Sequence, residues 1–455
     1  MEAIEYVSGL IEKSRIAQKE FEKYSQEQVD QAVRAIGKAV YDNGELLARL
    51  AVDETKMGRY EDKVIKNMNK SKAVWNKLKG VKSRGILRYI EEEGLVEVGK
   101  PIGVIGAICP STNPTMTPMQ NAMIVLKGGN SLIVCPHPSG KISGKKTVDV
   151  MNEALAAIGA PKNLIQIIED PTVETSKLVM QLADVCISTG GPAMVKTAYS
   201  SGKPAFGVGP GNVQCLIDTD ANVKEVVPKL FKGRTYDNGV LCTCEQSAIC
   251  PADKYDAIVT GLVEMGAYYV EKETEVDAIR NTLFPEGKLN KYCVGATPLT
   301  IAKMAGIVIP EDTKLLVVKV EAAGKEEDLS REKLCPVLAA YSYGTWKDAV
   351  AIANNNLLNE GKGHSVVIHS HTKENIEYAA VILPVSRFAV NQIGSSGLGG
   401  SFTNGLNPTG TLGCGSWGNN SISENLWFNH LINTSKISYE IPGKAVPTDD
   451  EIWNN

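Results

Sequence analysis

Residues 131–158 read SLIVCPHPSGKISGKKTVDVMNEALAAI, a short apolar run followed by a longer amphipathic stretch. The run Ser131–Cys135 is typical of a buried strand, and the apolar spacing within Gly144–Ile158 predicts a helix. Further strand–helix pairs follow the same pattern on either side of this one. Such alternation favours an α/β fold in which a parallel sheet is covered by helices on both faces.

The strand–helix pattern comes in two sets, which predicts two α/β domains. The first set contains the strands Gly103–Ile108, Ser131–Cys135, Leu164–Ile168, Asp184–Ser188 and Val213–Asp218, and the helices Pro114–Leu126, Gly144–Ile158, Val173–Leu182 and Pro192–Tyr199. The second set contains the strands Ala248–Cys250, Lys314–Val320, Val337–Tyr343, Ser365–His369 and Arg387–Asn391. Ahead of both, the first 80 residues have helical spacing, and Ile86–Glu91 with Gly94–Val98 predicts a hairpin or an extended arm.

The composition excludes several classes of function. The chain has 455 residues, of which 43% are hydrophobic and 22% charged, and its net charge is -4. A weakly acidic chain of this kind is not expected to bind nucleic acid or an anionic membrane. No apolar run approaches the roughly 20 residues of a membrane span, and the start Met1–Glu5 lacks the features of a signal peptide. We therefore predict a cytoplasmic protein.

The ten cysteines are best explained as free thiols. Without a secretory signal, a disulfide framework has no support. The closest pair, Cys242 and Cys244, is spaced Cys-x-Cys with no histidine nearby, so we predict no metal site. Most of the other cysteines lie in apolar runs and are expected in the core.

Cys242 is the exception, and we predict that it is a nucleophile. It follows the turn-forming residues Asp237–Gly239 and precedes a predicted strand, Glu245–Ala252. A thiol at a loop tip can attack a carbonyl carbon, because the thiolate is a strong nucleophile. The alternative is a structural cysteine, since free cysteines are among the most buried residues.

Four other segments have the residue types that such a site needs. In Pro110–Pro114, Asn113 is suited either to donate to an oxyanion or to cap the next helix. The turn Ser188–Pro192 is suited to a phosphate or a ribose, and the glycines of Phe206–Asn212 permit close approach of a flat ring or a thiol. In Glu332–Pro336, Glu332 is either a ligand for ribose hydroxyls or a solvated charge.

Taken in this order, these segments resemble the aldehyde dehydrogenase superfamily over nearly the whole chain. The resemblance implies that Cys242 is the nucleophile, Asn113 supplies the oxyanion hole, Gly190 and Gly191 pack beside the cofactor, and Glu332 holds the nicotinamide ribose. It also implies a Rossmann-type cofactor domain over residues 1–215 with a hairpin arm at about 84–100, a second α/β catalytic domain over 216–400, and a segment 401–455 that returns to the first domain and the oligomer interface. The expected assembly is a homodimer or a higher homo-oligomer.

One departure from the family pattern indicates the subclass. Hydrolytic members have a glutamate base where this chain has Gly207, and no acid occurs from Ala205 to Gln214. Without that base, a thiol must release the acyl group. The motifs around Val134–Pro138 and Leu412–Trp417 also resemble the CoA-acylating branch, and CoA-dependent succinate semialdehyde dehydrogenases most closely. The implied reaction is reversible conversion of an aldehyde, CoA and NAD(P)+ to an acyl-CoA and NAD(P)H.

The resemblance extends the set of candidate site residues. Thr112, Pro136, His137, Ser188 and Gly209 are expected near the cofactor, which is NAD or NADP; Lys141 and Lys145 are candidates for an NADP 2′-phosphate. His364 is either a group that handles the CoA thiol proton or a structural histidine. Arg387, Ser395 and Ser396 are candidates for the substrate, with Arg234 as a second arginine. Alternatives are acetaldehyde, another short-chain aldehyde or sulfoacetaldehyde as substrate, a hydrolytic enzyme, and an acyl-phosphate reductase.

Overall fold

The N-terminal region is helical, as predicted. The computed structural model describes residues 2–454, apart from the side chain of Pro192. The second helix of this region buries Val29, Val33, Ile36 and Val40 along one face. Ser25 caps this helix together with the side chain of Gln28. The first helices are α1 (Ala3–Phe21), α2 (Gln26–Asp42), α3 (Gly44–Thr55) and α4 (Tyr60–Leu78), and the predicted hairpin follows as β1 (Gly85–Ile90) and β2 (Leu95–Pro101).

A five-stranded parallel sheet forms the core of the first half, with strand order β5-β4-β3-β6-β7 within the described residues. Each strand except the last is followed by a helix that packs on the sheet, as the strand–helix pattern predicts. The elements are β3 (Val104–Cys109), α5 (Met116–Lys127), β4 (Ser131–Pro136), α6 (Lys141–Ala157), β5 (Ile165–Ile167), α7 (Val173–Leu182), β6 (Val185–Ser188), α8 (Pro192–Tyr199) and β7 (Ala205–Gly207).

A seven-stranded parallel sheet forms the second half, with strand order β10-β11-β12-β9-β8-β13-β14 within the described residues. Its central strands are buried on both faces, as is usual for parallel sheets. The elements are β8 (Val213–Ile217), α9 (Val223–Thr235), β9 (Glu245–Pro251), α10 (Tyr255–Glu264), β10 (Ala267–Val270), α11 (Glu273–Leu283), α12 (Pro298–Met304), β11 (Leu315–Lys319), β12 (Val337–Tyr343), α13 (Trp346–Asn359), β13 (Gly363–His369), α14 (Lys373–Ile382) and β14 (Val385–Val390).

Three strands of the two parallel sheets differ from the sequence prediction. The strand β8 was placed with the first set, but it lies between β9 and β13 in the second sheet, so the predicted boundary at residue 215 falls inside it. Local apolar pattern shows that a segment is a strand and does not show its partner. The short strands β7 and β10 were not predicted, because three or four residues are too few to show a period.

The C-terminal segment returns to the first half of the molecule. Its strand β15 (Ile432–Ser438) pairs antiparallel with β2 and completes a three-stranded sheet with the hairpin. Leu426, Trp427, Phe428 and Leu431 are buried in the core that the helices α2 and α5 share with the first sheet. The remaining elements are α15 (Gly394–Gly397) and α16 (Asp449–Trp453). None of the helices in residues 2–454 combines the length and apolar character needed to cross a membrane.

Candidate active site

Cys242 follows a tight turn between α9 and β9. Asp237, Asn238 and Gly239 have φ of 50°, 53° and 66°, which is the left-handed region that such short polar residues and glycine tolerate. The turn reverses the chain direction, and Cys242 lies in the loop between this turn and the buried strand β9. Cys242 is partly exposed, whereas the other nine cysteines are buried. It is therefore the most accessible of the ten cysteines.

The third sequence segment contacts Cys242, and the fourth is hydrogen-bonded to the third. A Cβ at Gly211 would lie 2.1 Å from the carbonyl oxygen of Cys242 and 2.5 Å from its Cβ, so only glycine fits there. The Gly211 amide donates a hydrogen bond of 2.9 Å to Glu332 Oε1. Glu332 is half-buried, and its own amide donates to Glu360 Oε2 at 2.9 Å. Glu332 is thus held in the wall of the site and is not a solvated charge.

The electrostatic environment keeps the resting thiol protonated. Burial raises the pKa of Cys242 well above its ordinary value, and the negative charge of Glu332 raises it further, while Arg387 opposes the shift. Burial, together with the charge of Glu360, raises the pKa of Glu332 to about 7. In the absence of ligands, Cys242 is therefore a neutral thiol at neutral pH.

Asn113 does not cap the helix that follows it. The helix α5 begins at Met116, its N-cap is Thr115, and no side chain caps it. Instead, Asn113 Oδ1 accepts a hydrogen bond of 2.6 Å from Lys66 Nζ. The amide nitrogen Nδ2 has only a long contact of 3.4 Å, to the hydroxyl of Thr112. The arrangement leaves the Asn113 NH2 group to donate to a ligand, as an oxyanion hole requires.

A row of lysines on α4 lines the site, and sequence reasoning missed it. Lys63 and Lys66 are buried, and both donate to Asp237 Oδ2, at 3.0 and 2.5 Å. Lys70 is half-buried and donates to the carbonyl oxygen of Gly399 at 3.0 Å. The spacing i, i+3, i+7 places all three on one helix face. That spacing was visible in the sequence, but a lysine-bearing helix face is normally solvated.

Several of the predicted cofactor residues lie at one edge of the first sheet. Strands β4 and β6 flank β3 and end at Pro136 and Ser188. These two residues therefore lie beside the loop after β3, which contains Thr112. The carboxyl edge of a parallel sheet is where α/β proteins bind ligands. His137 follows directly, and its Nδ1 accepts from the Ser139 amide at 3.1 Å.

The turn at this edge has room for a ligand. The hydroxyl of Ser188 is buried without a hydrogen-bond partner among the described residues. A Cβ at Gly190 would meet only Met194, at 3.8 Å, and one at Gly191 would meet nothing within 4 Å. Gly191 is also the N-cap of α8, and no side chain satisfies that helix end. An unsatisfied hydroxyl and open space at a helix N-terminus fit a dinucleotide phosphate or ribose.

The glycines at 207 and 209 contact protein atoms. A Cβ at Gly207 would lie 2.6 Å from Val195 Cγ1 and 2.9 Å from Tyr199 Cε2, and the Gly207 amide donates to the Tyr199 hydroxyl at 2.8 Å. The place where hydrolytic relatives of the resembled family carry a glutamate is thus filled by two other side chains. The Gly209 amide points to Cys414 Sγ, 3.4 Å away.

The two arginines proposed for the substrate carboxylate are engaged with the backbone. Arg387 is buried and donates to the carbonyl oxygens of His364 at 2.9 Å, of Ser423 at 2.8 Å, and of Gly413. Arg234 is fully buried and donates to the carbonyl oxygens of Cys335 and Val337, at the start of β12. Both guanidinium groups hold main-chain segments together, which a sequence pattern cannot reveal.

The other candidates have mixed environments. His364 is fully buried, neither ring nitrogen has a partner among the described residues, and burial lowers its pKa to about 3, so the imidazole is neutral. Ser395 is half-buried and Ser396 exposed, on the short helix α15. Lys141 and Lys145 pair with Asp170 and Asp149, at 2.7 and 2.6 Å.

Comparison with known proteins identifies the family. The model of the aldehyde dehydrogenase family matches residues 4–279. The chain is 51% identical over 447 residues to the acetylating succinate-semialdehyde dehydrogenase of Clostridium kluyveri, and the match covers 98% of each chain. The chain belongs to the aldehyde dehydrogenase family. The predicted class of enzyme, an oxidoreductase of this family, is thereby confirmed.

Solved structures agree with the fold and the subclass. An acetylating aldehyde dehydrogenase from Geobacillus thermoglucosidasius superposes with a TM-score of 0.94 at 38% identity, covering 98% of both chains. A propionaldehyde dehydrogenase from Rhodopseudomonas palustris, solved with bound CoA and an acylated cysteine, has a TM-score of 0.86 at 26% identity and covers 95% of this chain and 97% of its own. The predicted α/β fold and the resemblance to acylating aldehyde dehydrogenases are confirmed.

Proposed function

We propose that this acylating enzyme interconverts succinate semialdehyde and succinyl-CoA, with NAD or NADP as the hydride carrier and Cys242 as the acyl carrier. The observation that carries the choice of CoA over water is the filled space at Gly207. Val195 and Tyr199 occupy it, so no side chain can place a base there to activate water. An acyl group on Cys242 then awaits a stronger nucleophile, and a thiol is one.

The residues of the chain divide the reaction between them. The Cys242 thiol releases its proton to solvent, Sγ forms a bond to the aldehyde carbon, and the π electrons of the carbonyl group move to oxygen. Asn113 Nδ2 and the Cys242 amide donate to that alkoxide, while Glu332 orients the ribose. A bound nicotinamide would supply the hydride acceptor, and Cys242 would then carry the acyl group as a thioester. The CoA sulfur then attacks the acyl carbon, and Cys242 leaves as a thiolate. Because the exchange of one thioester for another is nearly balanced in free energy, the reaction runs both ways.

Lys70 supports a substrate with a negative charge. Its ammonium donates to the carbonyl oxygens of Gly399 and Thr409, at 3.0 and 3.5 Å, and no carboxylate within residues 2–454 forms an ion pair with it. Burial and the charge of Lys66 lower the pKa of Lys70 to about 8, and a thiolate at Cys242 would raise it. A half-buried cation near the nucleophile and without an anionic partner suits the far carboxylate of succinate semialdehyde.

The ammonium group of Lys70 also favours sulfoacetaldehyde over acetaldehyde as an alternative substrate. A sulfonate would neutralise Lys70 as a carboxylate does, so sulfoacetaldehyde is the alternative substrate that this observation supports. Acetaldehyde has no charge to offer. The identity to the Clostridium kluyveri enzyme favours succinate semialdehyde of the two anions.

Steady-state kinetics test the proposal. Reduced nicotinamide is followed with each of the three aldehydes, with NAD or NADP, and with or without CoA. We expect sustained turnover only with CoA. Replacing Lys70 with methionine is expected to raise KM for succinate semialdehyde about 10-fold to 100-fold, because a charge-assisted hydrogen bond is lost, and to leave KM for acetaldehyde unchanged. Lys77→Met, an exposed change on the same helix, is the control. Equal turnover without CoA would contradict the proposal.

The remaining predictions concern CoA proton transfer, assembly and location. That His364 handles the CoA thiol proton remains a prediction.

The three-stranded sheet of β1, β2 and β15 exposes Tyr89 and Ile437, with Tyr439 just beyond it. We propose that this sheet joins copies of the chain into a homo-oligomer. Light scattering on Tyr89→Arg is expected to show a smaller species than the unaltered chain; an unchanged mass would contradict this role. The cytoplasmic location stays a prediction.

A further inference from the structure

One side chain joins the two loops that form the reaction centre. Lys66 lies on α4, outside both loops, and it is 6% exposed. Its Nζ is 2.6 Å from Asn113 Oδ1, in the loop after β3, and 2.5 Å from Asp237 Oδ2, in the turn that precedes Cys242. The donor of the oxyanion hole and the loop of the nucleophile are therefore held by a single ammonium group.

We propose that Lys66 is the positioning residue that fixes the Asn113 amide with its NH2 group toward the reacting oxygen. The inference rests on the proposed function, because it concerns the role of Asn113 at Cys242. A side-chain amide has one acceptor and one donor end, and a buried ammonium can bond only the acceptor. Rotating the Asn113 amide would break a charge-assisted bond and bring NH2 against the ammonium. The donor end is left for the alkoxide.

The surroundings hold Lys66 in turn. Asp237 is fully buried and accepts from Lys66, from Lys63 and from the backbone amide of Arg59 at 2.7 Å. Burial would raise the pKa of Asp237, but the charges of Lys66 and Lys63 outweigh it and hold that pKa below the ordinary value. The carboxylate is thus ionised and anchors the ammonium on the side opposite Asn113.

Lys63 offers a matched control. It bonds the same Asp237 oxygen, at 3.0 Å, and is equally buried. Its other contact is the carbonyl oxygen of Thr112 at 3.4 Å, and it touches no atom of the Asn113 amide. Lys63→Met therefore removes an ion pair to Asp237 and leaves the bond to Asn113 Oδ1 in place.

The first experiment compares Lys66→Met, Lys66→Arg and Lys63→Met in the full-length enzyme with aldehyde, dinucleotide and CoA. Loss of an oriented oxyanion donor costs about 100-fold to 1,000-fold in kcat, and we expect Lys66→Met to fall in that range with KM for the aldehyde little changed. Lys66→Arg keeps the charge and the donors and is expected to recover most of kcat. Lys63→Met is expected to lose less than Lys66→Met. Equal losses for the two methionine variants would overturn the proposal.

A double-mutant cycle separates positioning from a general structural effect. If Lys66 acts through Asn113, Lys66→Met should have little further effect on kcat in the Asn113→Ala background. Full additivity of the two losses would overturn the proposal. Lys66→Gln repeats the cycle with a neutral donor if Lys66→Met does not fold. Should Asn113→Ala alone leave kcat unchanged, the oxyanion role in the proposed function would be wrong, whatever the Lys66 variants do.

Discussion

Two glycine-containing segments line the site, and they differ in what lies beside their α-carbons. At Gly190 and Gly191, the space that a side chain would fill is open. At Gly207 and Gly211, the corresponding space is taken by protein atoms, from Val195 and Tyr199 at the first position and from Cys242 at the second. The first pair provides room for a ligand, while the second pair allows the chain itself to pack tightly, against Val195 and Tyr199 at Gly207 and against Cys242 at Gly211. Glycine in a sequence does not distinguish these two uses.

The largest effect in this comparison is expected when a methyl group is added to the second segment, and the same addition to the first segment is the matched control. Gly211→Ala would force Cys242 to move, and a displacement of about 1 Å in a reacting group can cost about 100-fold in rate. We expect kcat to fall by about that factor. Gly191→Ala should leave kcat and folding unchanged and raise KM for the dinucleotide. Steady-state kinetics on the two variants measure both effects; comparable losses of kcat would show that the segments do not differ as described.

An intermediate effect is expected from Gly207→Glu, which restores the residue type of hydrolytic relatives. Because Val195 and Tyr199 fill the space, the new side chain should cost about 1–3 kcal/mol of stability by overpacking. It should not produce turnover without CoA. Thermal unfolding and nicotinamide reduction in the absence of CoA provide the two readouts. A variant that turned over steadily without CoA would mean that the segment accommodates a base.

The smallest effect concerns the thiol that the second segment surrounds. Burial and Glu332 raise the pKa of Cys242 above its ordinary value, so the thiolate fraction should rise about tenfold per pH unit without levelling off below pH 9. Iodoacetamide alkylation of Cys242, followed by peptide mass spectrometry, measures this rise. Above pH 7, where Glu332 with its pKa of about 7 is ionised, Glu332→Gln removes a negative charge and should speed alkylation several-fold at a fixed pH. A plateau below pH 9 in the unaltered enzyme would contradict the assigned environment.

Much of the fold could be predicted because the strand–helix pattern is local. The helices Val173–Leu182 and Pro192–Tyr199 have the predicted bounds, and most strands lie within a few residues of theirs. The sheet to which β8 belongs could not be predicted, because strand pairing depends on distant segments. The strand β15 pairs with β2, more than 300 residues away in the chain, and no local sequence pattern predicts this pairing.

The candidate site was predictable where chemistry is concentrated in short motifs. Cys242, Asn113 and Glu332 each stand in a distinctive segment, and the structure brings Glu332 and Gly211 against Cys242. The lysine row could not be found in this way, since solvated lysines are common on helices and only the contact with Asp237 shows that Lys66 is buried. Arg387 stays a prediction for the substrate site; its guanidinium donates to backbone carbonyl oxygens, which its segment of sequence did not indicate.

The most direct test of the account is the intact mass of the enzyme after mixing with succinate semialdehyde and dinucleotide in the absence of CoA. The filled space at Gly207 predicts that one succinyl group accumulates on Cys242, that reduced nicotinamide forms in a single burst, and that adding CoA removes the group as succinyl-CoA. Continued nicotinamide reduction without CoA, with an unmodified Cys242, would show that water releases the acyl group and would contradict the account.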